Sequence, residues 1–395
     1  MNFKAENFHQ GLYQHICRYE AQALKWYQKK SDGIPHPFYS GFDIRDSAHK
    51  IAPVDANVFP AGFNNLSAED QNQTSALMSQ YLKKYAPSLK KILLLTEEHT
   101  NNLYYWENIL TLKTLMEKGG YEVAPCVARE LVSGERTVST ATGQKISLQL
   151  LQDVQGDLII SNNDFSSDCD LPQDRPCLPP LKMGWKTRRK HDFFIHYNKL
   201  AGEFSEIIDM NPWHFQIKTE LFSPFDVTSK ENLKTLKSQV TDFLKELQTP
   251  APSSEKPYLF LKNNYGTYGL GITTVSDPEE VLSWNYKTRK DLKATKGGGG
   301  VRELILQEGI PSSLFKKEPF SAEPVIYMVG SRPAGGFLRI HEKKDCTENL
   351  NRPGVTYKPL SSDRLTNDYK IMKAIYEWIG RIGFLAVGEE LKQSG

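Results

Sequence analysis

A lysine followed by closely spaced glycines is the segment of the sequence best suited to bind phosphate. Lys262 ends an apolar stretch and is followed by Gly266, Thr267, Tyr268, Gly269 and Gly271. Glycines let backbone N–H groups approach a polyphosphate without interference from a Cβ atom, and the lysine adds positive charge. No Gly-Lys-Ser/Thr follows, which excludes a P-loop, and Thr274 replaces the last glycine of a dinucleotide-binding fingerprint. A glycine-rich hairpin without a ligand is the alternative interpretation.

A second apolar stretch ends in Gln307, Glu308 and Gly309, 36 residues after Gly271. Backbone groups at this point could bind an adenine, and the Glu308 carboxylate could bind a ribose. Between the two segments lies a basic and glycine-rich stretch, residues 287–300, which could close over phosphates and exclude water. A solvated surface loop is the alternative for most of its lysines.

Acidic, amide and arginine side chains form a third group, which consists of Glu323, Arg339, Glu348, Asn349 and Asn351. Mg²⁺ prefers a few hard oxygen ligands together with substrate phosphates, and Glu and Asn side chains can supply those oxygens. Arg339 could stabilise the charge of a phosphoryl group during its transfer. Any one of these acids is more often an ordinary surface residue. The ordered combination of the lysine, the glycine loop, the hinge, the arginine and the group of acids and amides is much less expected by chance.

The composition excludes several classes of protein. The chain has 395 residues, with 49 Lys and Arg against 47 Asp and Glu, and this balance argues against a generally basic protein that coats nucleic acid. Hydrophobic residues at 39% and aromatic residues at 11% exclude a disordered or fibrous chain. No apolar run is long enough to span a bilayer, and the N-terminus lacks the apolar core of a signal peptide. We therefore expect no membrane partner.

Cysteine usage and the absence of nucleophile motifs narrow the chemistry further. Five cysteines without a C-x-x-C pair favour reduced thiols and a cytoplasmic location. Cys169 and Cys177 could pair or share a metal, but two ordinary loop thiols are the favoured interpretation. Neither a Ser-His-Asp nor a Cys-His arrangement is evident, and the histidines show no metal-ligand spacing.

Strands and helices in the first 250 residues must position some of these groups. Residues 91–95 and 157–161 and a segment that starts at Tyr121 favour strands, and a helix that ends at Gly119-Gly120 follows the first of them. Strand, helix and strand with short connections predict a small parallel sheet. Ser67 and Asp70 predict the start of a helix that runs to about Tyr85.

Neither a strand period nor a helix period persists in residues 1–66. The elements after residue 228 show clearer patterns. Thr228 and Glu231 predict a capping box that opens an amphipathic helix, and residues 249–254 predict a hinge. Strands are expected at 258–262, 272–275 and 304–307. Residues 322–329 and 336–340 predict a hairpin joined by residues 330–335, and a long helix closes the chain.

At this point the sequence resembles the bacterial ATP-grasp-type glutamate–cysteine ligases, and the resemblance covers most of the chain in the expected order. The matching stretches are residues 50–55 with Asn57, 59–66, 161–164, 266–271, 307–309, 322–327, 335–337 with Arg339, and 348–351. One departure concerns the two residues after the strand lysine. The family pattern has Ala and Asp there, whereas this chain has Asn263 and Asn264. The loss of a carboxylate puts metal geometry or substrate preference in question more than the activity.

The resemblance implies an α/β (α+β) protein with an ATP-grasp fold and an N-terminal Rossmann-like pre-ATP-grasp domain. Residues 1–200 would form the N-terminal substrate-binding domain and residues 201–395 the ATP-grasp domain, with a glycine-loop subdomain at about 256–310. The implied cofactors are ATP and Mg²⁺, and the substrates are glutamate and cysteine. ATP would phosphorylate the γ-carboxylate of glutamate, and the cysteine amine would attack the acyl phosphate to give γ-glutamylcysteine, the first intermediate of glutathione synthesis.

The resemblance also assigns roles to residues. Lys262 and Arg339 would be catalytic, and the glycine loop with Gln307, Glu308 and Gly309 would bind ATP. The implied substrate-binding residues are Asp43, Arg45, Lys50, Asp55, Asn57 and Asn64, and the implied metal ligands are Glu323, Glu348, Asn349 and Asn351. Arginine and lysine would pair with substrate carboxylates, and aspartate would hold an ammonium. A structural network of salt bridges is an equal alternative for any single one of these N-terminal residues.

Several alternatives stay open at this level. Another ATP-grasp carboxylate–amine ligase, such as a glutathione synthetase-like enzyme, is the near alternative. A binding module that holds nucleic acid through residues 186–191 is the alternative from another class, and the short basic cluster argues against it. Arg188 and Arg189 could bind a carboxylate or phosphate, although an exposed basic loop is the favoured interpretation. The oligomeric state is not fixed, and a homodimer is one option.

Overall fold

The protein was analysed as a computed structural model, which describes residues 8–98, 100–131, 134, 136–248, 256–265, 272–293, 301–312, 321–351, 354–360 and 369–393. The helices are α1 (Phe8–Arg18), α2 (Glu20–Asp32), α3 (Ala68–Tyr85), α4 (Leu103–Lys118), α5 (Lys190–Ile207), α6 (Lys230–Gln248), α7 (Glu280–Ser283), α8 (Tyr286–Lys293) and α9 (Tyr369–Gln393). No helix among the described residues is both long and apolar enough to cross a bilayer.

The strands make the architecture mixed α/β. They are β1 (Tyr39–Asp46), β2 (Ile51–Asn57), β3 (Lys91–Thr96), β4 (Glu122–Val127), β5 (Thr137–Ser139), β6 (Lys145–Ser147), β7 (Gln149–Leu150), β8 (Leu158–Ser161), β9 (Cys177–Leu178), β10 (Thr219–Phe222), β11 (Leu259–Asn263), β12 (Thr273–Val275), β13 (Leu304–Glu308), β14 (Ser321–Val329), β15 (Arg332–His341) and β16 (Thr356–Pro359).

A parallel sheet with the order β7-β4-β3-β8-β9 confirms the predicted small parallel sheet. Its buried strands carry apolar residues on both faces, as expected when helices cover such a sheet. The Ser67 hydroxyl caps α3 by accepting a bond from the Asp70 N–H at 3.0 Å, as predicted. The glycine stop of α4 is also confirmed, because Gly120 has a φ of 96°, which favours glycine.

The small sheet, with the order β10-β13-β11-β12, is antiparallel and packs against α6. The predicted apolar face of α6 is confirmed, since its members are all buried: Leu233, Leu236, Val240, Phe243, Leu244 and Leu247. The predicted Thr228 cap is wrong. The Ser229 hydroxyl accepts the bond from the Asn232 N–H at 3.2 Å, whereas the Thr228 hydroxyl bonds to Asp226.

The central sheet is antiparallel, with the order β16-β15-β14-β1-β2. The predicted hairpin is confirmed, but β14 and β15 extend so far that only Gly330 and Ser331 separate them. Helix α9 lies on this sheet, and a Cβ at Gly383 would be 2.5 Å from the Phe42 ring, so glycine permits the close approach.

Both ends of the chain contribute to the central sheet. Strands β1 and β2 belong to the predicted N-terminal domain, while β14, β15 and β16 belong to the predicted ATP-grasp domain. The boundary between these domains stays a prediction, but a single sheet joins them. The predicted hinge, residues 249–254, lies outside the described residues.

Residues 8–32 form two helices that the sequence analysis did not predict. Helix α1 buries Phe8, Leu12 and Ile16, a narrow stripe of one residue per turn. Helix α2 buries only Ala23, Tyr27 and Ser31, of which one is polar. Such narrow stripes give too few apolar positions for a clear helical period.

The favoured interpretation of an exposed loop is wrong for Arg188, which is buried. Its Nε and Nη2 donate to the two Glu390 carboxylate oxygens at 2.9 and 2.8 Å, and its Nη1 donates to the Ala56 carbonyl at 2.6 Å. Since Glu390 lies on α9 and Ala56 on β2, this arginine fastens the last helix to the central sheet.

We expect Arg188→Met to destabilise the protein by about 3–5 kcal/mol, because it removes the guanidinium that binds both oxygens of the buried Glu390 carboxylate. Lys113→Met is the matched control. This substitution removes an exposed ion pair between neighbouring turns of α4, Lys113–Glu117 at 2.5 Å. It should lower the free energy of unfolding by about 0.5 kcal/mol or less. Urea unfolding of both variants and of Arg188→Met/Glu390→Leu measures the effect. Equal midpoints for the two single variants would contradict the assignment.

Candidate active site

A cleft opens between the central sheet and the small sheet, and charged side chains line it from both sides. We call it the inter-sheet cleft, and its volume is about 620 Å³ with the open mouth included. Its lining residues are Asp43, Arg45, Val54, Asp55, Lys190, Phe260, Lys262, Asn263, Ile272, Glu323, Arg339, Asn349 and Asn351. The strand pairing aligns the acids and arginines, because Asp43 lies opposite Asp55 and Glu323 lies opposite Arg339.

A buried chain of ion pairs crosses the floor of the cleft. Glu323 accepts from Arg45 Nε at 2.5 Å with one oxygen and from Arg339 Nη1 at 3.2 Å with the other. Arg339 Nη1 also donates to Asp43 at 2.7 Å. Burial alone would raise the pKa of Glu323, but the two guanidinium groups outweigh it and lower that pKa. The carboxylate is therefore held ionised between two cations.

Arg45 is engaged with protein groups on every guanidinium nitrogen. Besides Glu323, it donates to the backbone carbonyls of Ile310, Cys346 and Glu348 at 3.3, 2.8 and 2.5 Å. This predicted substrate-binding residue thus connects strand β1 to the loop after β15 through hydrogen bonds. Its substrate role stays a prediction without a free donor to support it.

Two lysines flank Asp55 on the other wall of the cleft. The Lys190 ammonium bonds to Asp55 and lies 4.5 Å from the centre of the Trp185 ring. Lys262 Nζ donates to the Val54 carbonyl at 2.9 Å and to Gln307 Oε1 at 2.5 Å. Burial, with repulsion from nearby cations, lowers the pKa of Lys262 to about 8 although Asp55 opposes the shift. Burial would raise the pKa of Asp55, but the two lysines lower it.

A second compartment adjoins the cleft and is rich in amide side chains, so we call it the amide pocket. The two share Asp43, Asp55, Arg339 and Asn351, and the amide pocket has a volume of about 1150 Å³ with its mouth included. The rest of its lining includes Asn57, Asn64, Asn65, Asn102, Asn162, Asp164, Tyr104, Tyr105 and Trp185. Carboxylates and amides can receive ammonium groups, and amide N–H groups can bind carboxylates.

The inter-sheet cleft and the amide pocket bring together most predicted side chains, but not all. Lys50, Glu308 and Gly309 line a separate pocket beside Trp213. Lys50 Nζ bonds to one Glu308 oxygen at 2.6 Å, and the Lys218 N–H bonds to the other at 3.0 Å. The Glu308 carboxylate is thus fully engaged within the protein.

Gln307 lies beside the cleft and orients Lys262. The predicted loop residues Gly266, Thr267, Tyr268, Gly269 and Gly271 lie outside the described residues, as do residues 294–300 of the predicted flap.

Three of the four predicted metal ligands, Glu323, Asn349 and Asn351, line the inter-sheet cleft. Both Glu323 oxygens accept from arginines, and the Glu348 oxygens accept from Lys344 and the Asp345 N–H at 2.6 and 2.9 Å. Asn349 Oδ1 accepts from the Asn351 N–H at 3.0 Å. Within the described ranges, no group of three or more His, Cys, Asp or Glu side chains could hold a metal ion. The metal-ligand role of these residues stays a prediction.

Sequence reasoning missed several polar and aromatic residues of the site, among them Lys190, Trp185, Asn162 and Asp164. The signal for Lys190 was the basic cluster 186–191, and the signal for the last two was the family-like stretch 161–164. Neither signal says which member faces a cleft. Asn162 is held in place because its Nδ2 donates to the Pro60 carbonyl at 2.9 Å and its Oδ1 accepts from Asn108 at 3.2 Å.

Asn264, the departure from the family pattern, joins the small sheet to helix α5. Its carbonyl accepts from the Lys190 N–H at 2.8 Å and its Oδ1 from the His191 N–H at 2.9 Å, which caps the start of α5. Its Nδ2 donates to Glu303 at 2.8 Å. An amide can therefore do what a capping carboxylate would do and also pair with Glu303.

Comparisons with known proteins were made against families and solved structures. A family model described as glutamate-cysteine ligase matches residues 13–391. A solved structure from Methylobacillus flagellatus, assigned as a gamma-glutamylcysteine synthetase, has a TM-score of 0.86 and 27% identity, and the match covers 98% of this chain and 96% of that chain. No curated protein sequence matches the chain.

Two further solved structures match at low similarity. D-alanyl-alanine synthetase A from Vibrio cholerae has a TM-score of 0.36 and 10% identity, over 75% of this chain and 81% of that one. A glutathione synthetase-like effector from Globodera pallida has a TM-score of 0.36 and 12% identity, over 90% and 85%.

We expect Asn264→Ala to weaken the binding of inorganic phosphate to the inter-sheet cleft by about tenfold, because the lost cap frees the start of α5 and displaces Lys190 from the cleft. Calorimetric titration with phosphate measures the affinity, and a thermal unfolding experiment is the control for stability.

A matched double variant exchanges donor and acceptor in the hydrogen bond between residues 264 and 303. Asn264→Asp/Glu303→Gln keeps the capping oxygen and lets the glutamine amide donate to the new carboxylate. It should restore most of the phosphate affinity. An unchanged phosphate affinity in Asn264→Ala, or a double variant as weak as the alanine variant, would refute the positioning role.

Proposed function

Since the chain belongs to the glutamate–cysteine ligase family, we propose that the inter-sheet cleft binds ATP and that the amide pocket binds the amino-acid substrates. The enzyme joins the γ-carboxyl group of glutamate to the amine of cysteine. One observation carries the proposal. The two compartments meet at Asp43, Asp55, Arg339 and Asn351, so a phosphoryl donor in one could reach a carboxylate in the other. The alternative of another carboxylate–amine ligase is not favoured by the family match.

The charges of the cleft support ATP as the phosphoryl donor. Lys190, Lys262 and Arg339 present cationic groups to one cavity, and Phe260 provides an apolar surface. Buried cations interact strongly with phosphates because little water screens them. We assign the two antiparallel sheets to an ATP-grasp arrangement and the parallel sheet to a Rossmann-like N-terminal domain. ATP would enter as its magnesium complex, which is the usual form of the substrate.

The chemistry needs positioning and charge neutralisation more than an enzyme nucleophile. A γ-carboxylate oxygen of glutamate attacks the terminal phosphorus of ATP, and the bond to ADP breaks. The neutral cysteine amine then attacks the acyl carbon, the bond from carbon to the phosphate oxygen breaks, and phosphate leaves with the electron pair and takes up the proton that the amine loses. Arg339, which lines both compartments, would neutralise charge on the transferred phosphoryl group.

The cellular setting follows from the same reasoning. All five cysteines are free thiols in the structure, which supports a cytoplasmic enzyme. We propose glutamate, cysteine and ATP as its small-molecule partners.

The direct test is a coupled ADP-release assay with magnesium, ATP, glutamate and a panel of amine acceptors, with the product identified by mass. We expect turnover that needs both glutamate and cysteine. Lys262→Ala should lower turnover by more than about 100-fold through loss of phosphate binding, while the surface control Lys113→Ala retains it. ADP release with other pairs and none with this one would overturn the proposed substrates.

The lowered pKa of Lys262 predicts a pH dependence of ATP binding. Below pH 7 the ammonium is mostly protonated, and above pH 9 it is mostly neutral in the free enzyme. ATP binds the cation, so its Kd should rise by up to about tenfold per unit as pH increases above about 8. Lys262→Arg is the matched control because its guanidinium stays charged, and its profile should be flat there. Calorimetric titrations from pH 6.5 to 9.5 decide, and identical profiles would contradict the assignment.

A further inference from the structure

Two buried donors in the inter-sheet cleft have no hydrogen-bond partner among the residues that the structure describes. They are Arg339 Nε and Asn349 Nδ2, and both are shielded from solvent. Both residues line the cleft. A buried donor without an acceptor costs about 1–3 kcal/mol, so such groups are rare unless their partner arrives with a ligand.

The orientation of the Asn349 amide is fixed by its backbone neighbour. The Asn351 N–H can only donate, so the Asn349 atom that lies 3.0 Å from it must be the oxygen. The Nδ2 group therefore points away from this turn and remains available as a donor. The only side-chain oxygen of Asn349 already accepts one bond, whereas its Nδ2 group donates none.

Both donors are held in place before any ligand arrives. The loop that carries Asn349 is tied down because Arg45 binds the Cys346 and Glu348 carbonyls at 2.8 and 2.5 Å, and the adjacent Leu350 is fully buried. Arg339 is oriented by Asp43 and Glu323. Donors that are already oriented stabilise developing charge without a cost of reorganisation.

The nearby carboxylates do not compete for an anion at this point. Asp43 pairs with Arg339, Asp55 pairs with Lys190, and Glu323 pairs with both arginines. Each of these negative charges thus has a cation beside it. An incoming phosphoryl group would meet the free N–H groups and not an uncompensated carboxylate.

We propose that Arg339 Nε and Asn349 Nδ2 form a binding site for the oxygens of the transferred phosphoryl group, and that Asn349 acts there as a hydrogen-bond donor and not as a metal ligand. This inference rests on the proposed function, because the anion is the terminal phosphate of ATP and then the phosphate of the acyl-phosphate intermediate. The two donors bind the same group on both sides of the transfer.

Asn349→Asp separates the two roles of this residue. The new carboxylate can still accept from the Asn351 N–H, so the turn is kept, but the donor becomes an anion. For a donor role we expect kcat to fall by about 100-fold or more and the binding of inorganic phosphate to weaken by at least tenfold. For a metal-ligand role, an aspartate would maintain turnover and lower the magnesium concentration needed for half-maximal rate.

Calorimetric titration with inorganic phosphate provides the readout that does not depend on turnover. A second variant, Arg339→Lys, keeps a cation near Asp43 but lacks the Nε donor. Combined with Asn349→Asp it should give a loss smaller than the product of the single losses, because both residues contact one anion. Fully multiplicative losses would overturn the shared site even if one variant proved unstable.

The outcome for this inference differs from that for the proposed function. If the native enzyme makes γ-glutamylcysteine and Asn349→Asp retains its rate and phosphate affinity, the donor role is wrong while the function stands. If the native enzyme does not use glutamate and cysteine, the proposed function fails, and the phosphate titration still reports on the anion site.

Discussion

The buried pairing of Glu323 with Arg45 and Arg339 is the interaction on which the site depends. Taking such charges out of water is costly, and each needs close partners to offset that cost. The structure supplies them from both halves of the chain, since 278 residues separate Arg45 from Glu323. The pair is weak evidence for stability, but it fixes where the strands and the loop after β15 must lie. Removing any member would leave a buried charge that could reorganise the floor of the cleft.

That network also explains why the cleft can hold both cations and carboxylates. Glu323 lies opposite Arg339 in register, and Asp43 and Asp55, which lie opposite each other, pair with Arg339 and Lys190, so the protein compensates their charges. An anionic ligand would therefore meet the lysine side chains that line the cleft and the unused N–H donors. A formal net charge of only +2 therefore hides a local division of charge that suits an anionic substrate.

Sequence reasoning predicted elements whose apolar residues repeat clearly, such as α6 and the strands of the parallel sheet. It failed for α1 and α2, where the buried stripe is too narrow to stand out. In the site, residue type and order along the chain pointed to Lys262, Arg339 and Glu323, and the resemblance to the ligase family added Asp43 and Asp55. It could not tell that Arg45 and Lys50 bind protein acceptors, or that Lys190 faces the cleft. Those facts depend on partners far away along the chain, which local patterns do not encode.

The central sheet has a consequence for the way the protein is made. Strand β2 ends at Asn57 and its neighbour β1 pairs with β14, which begins at Ser321, 264 residues later. At about 5–20 residues per second, a ribosome needs roughly 13–50 s to deliver that strand. During this time the edge of β1 lacks its partner strand β14, and the Phe42 ring lacks the helix α9 that packs against it. The nascent chain thus exposes an unpaired strand edge for most of its synthesis, which makes protection by a chaperone valuable.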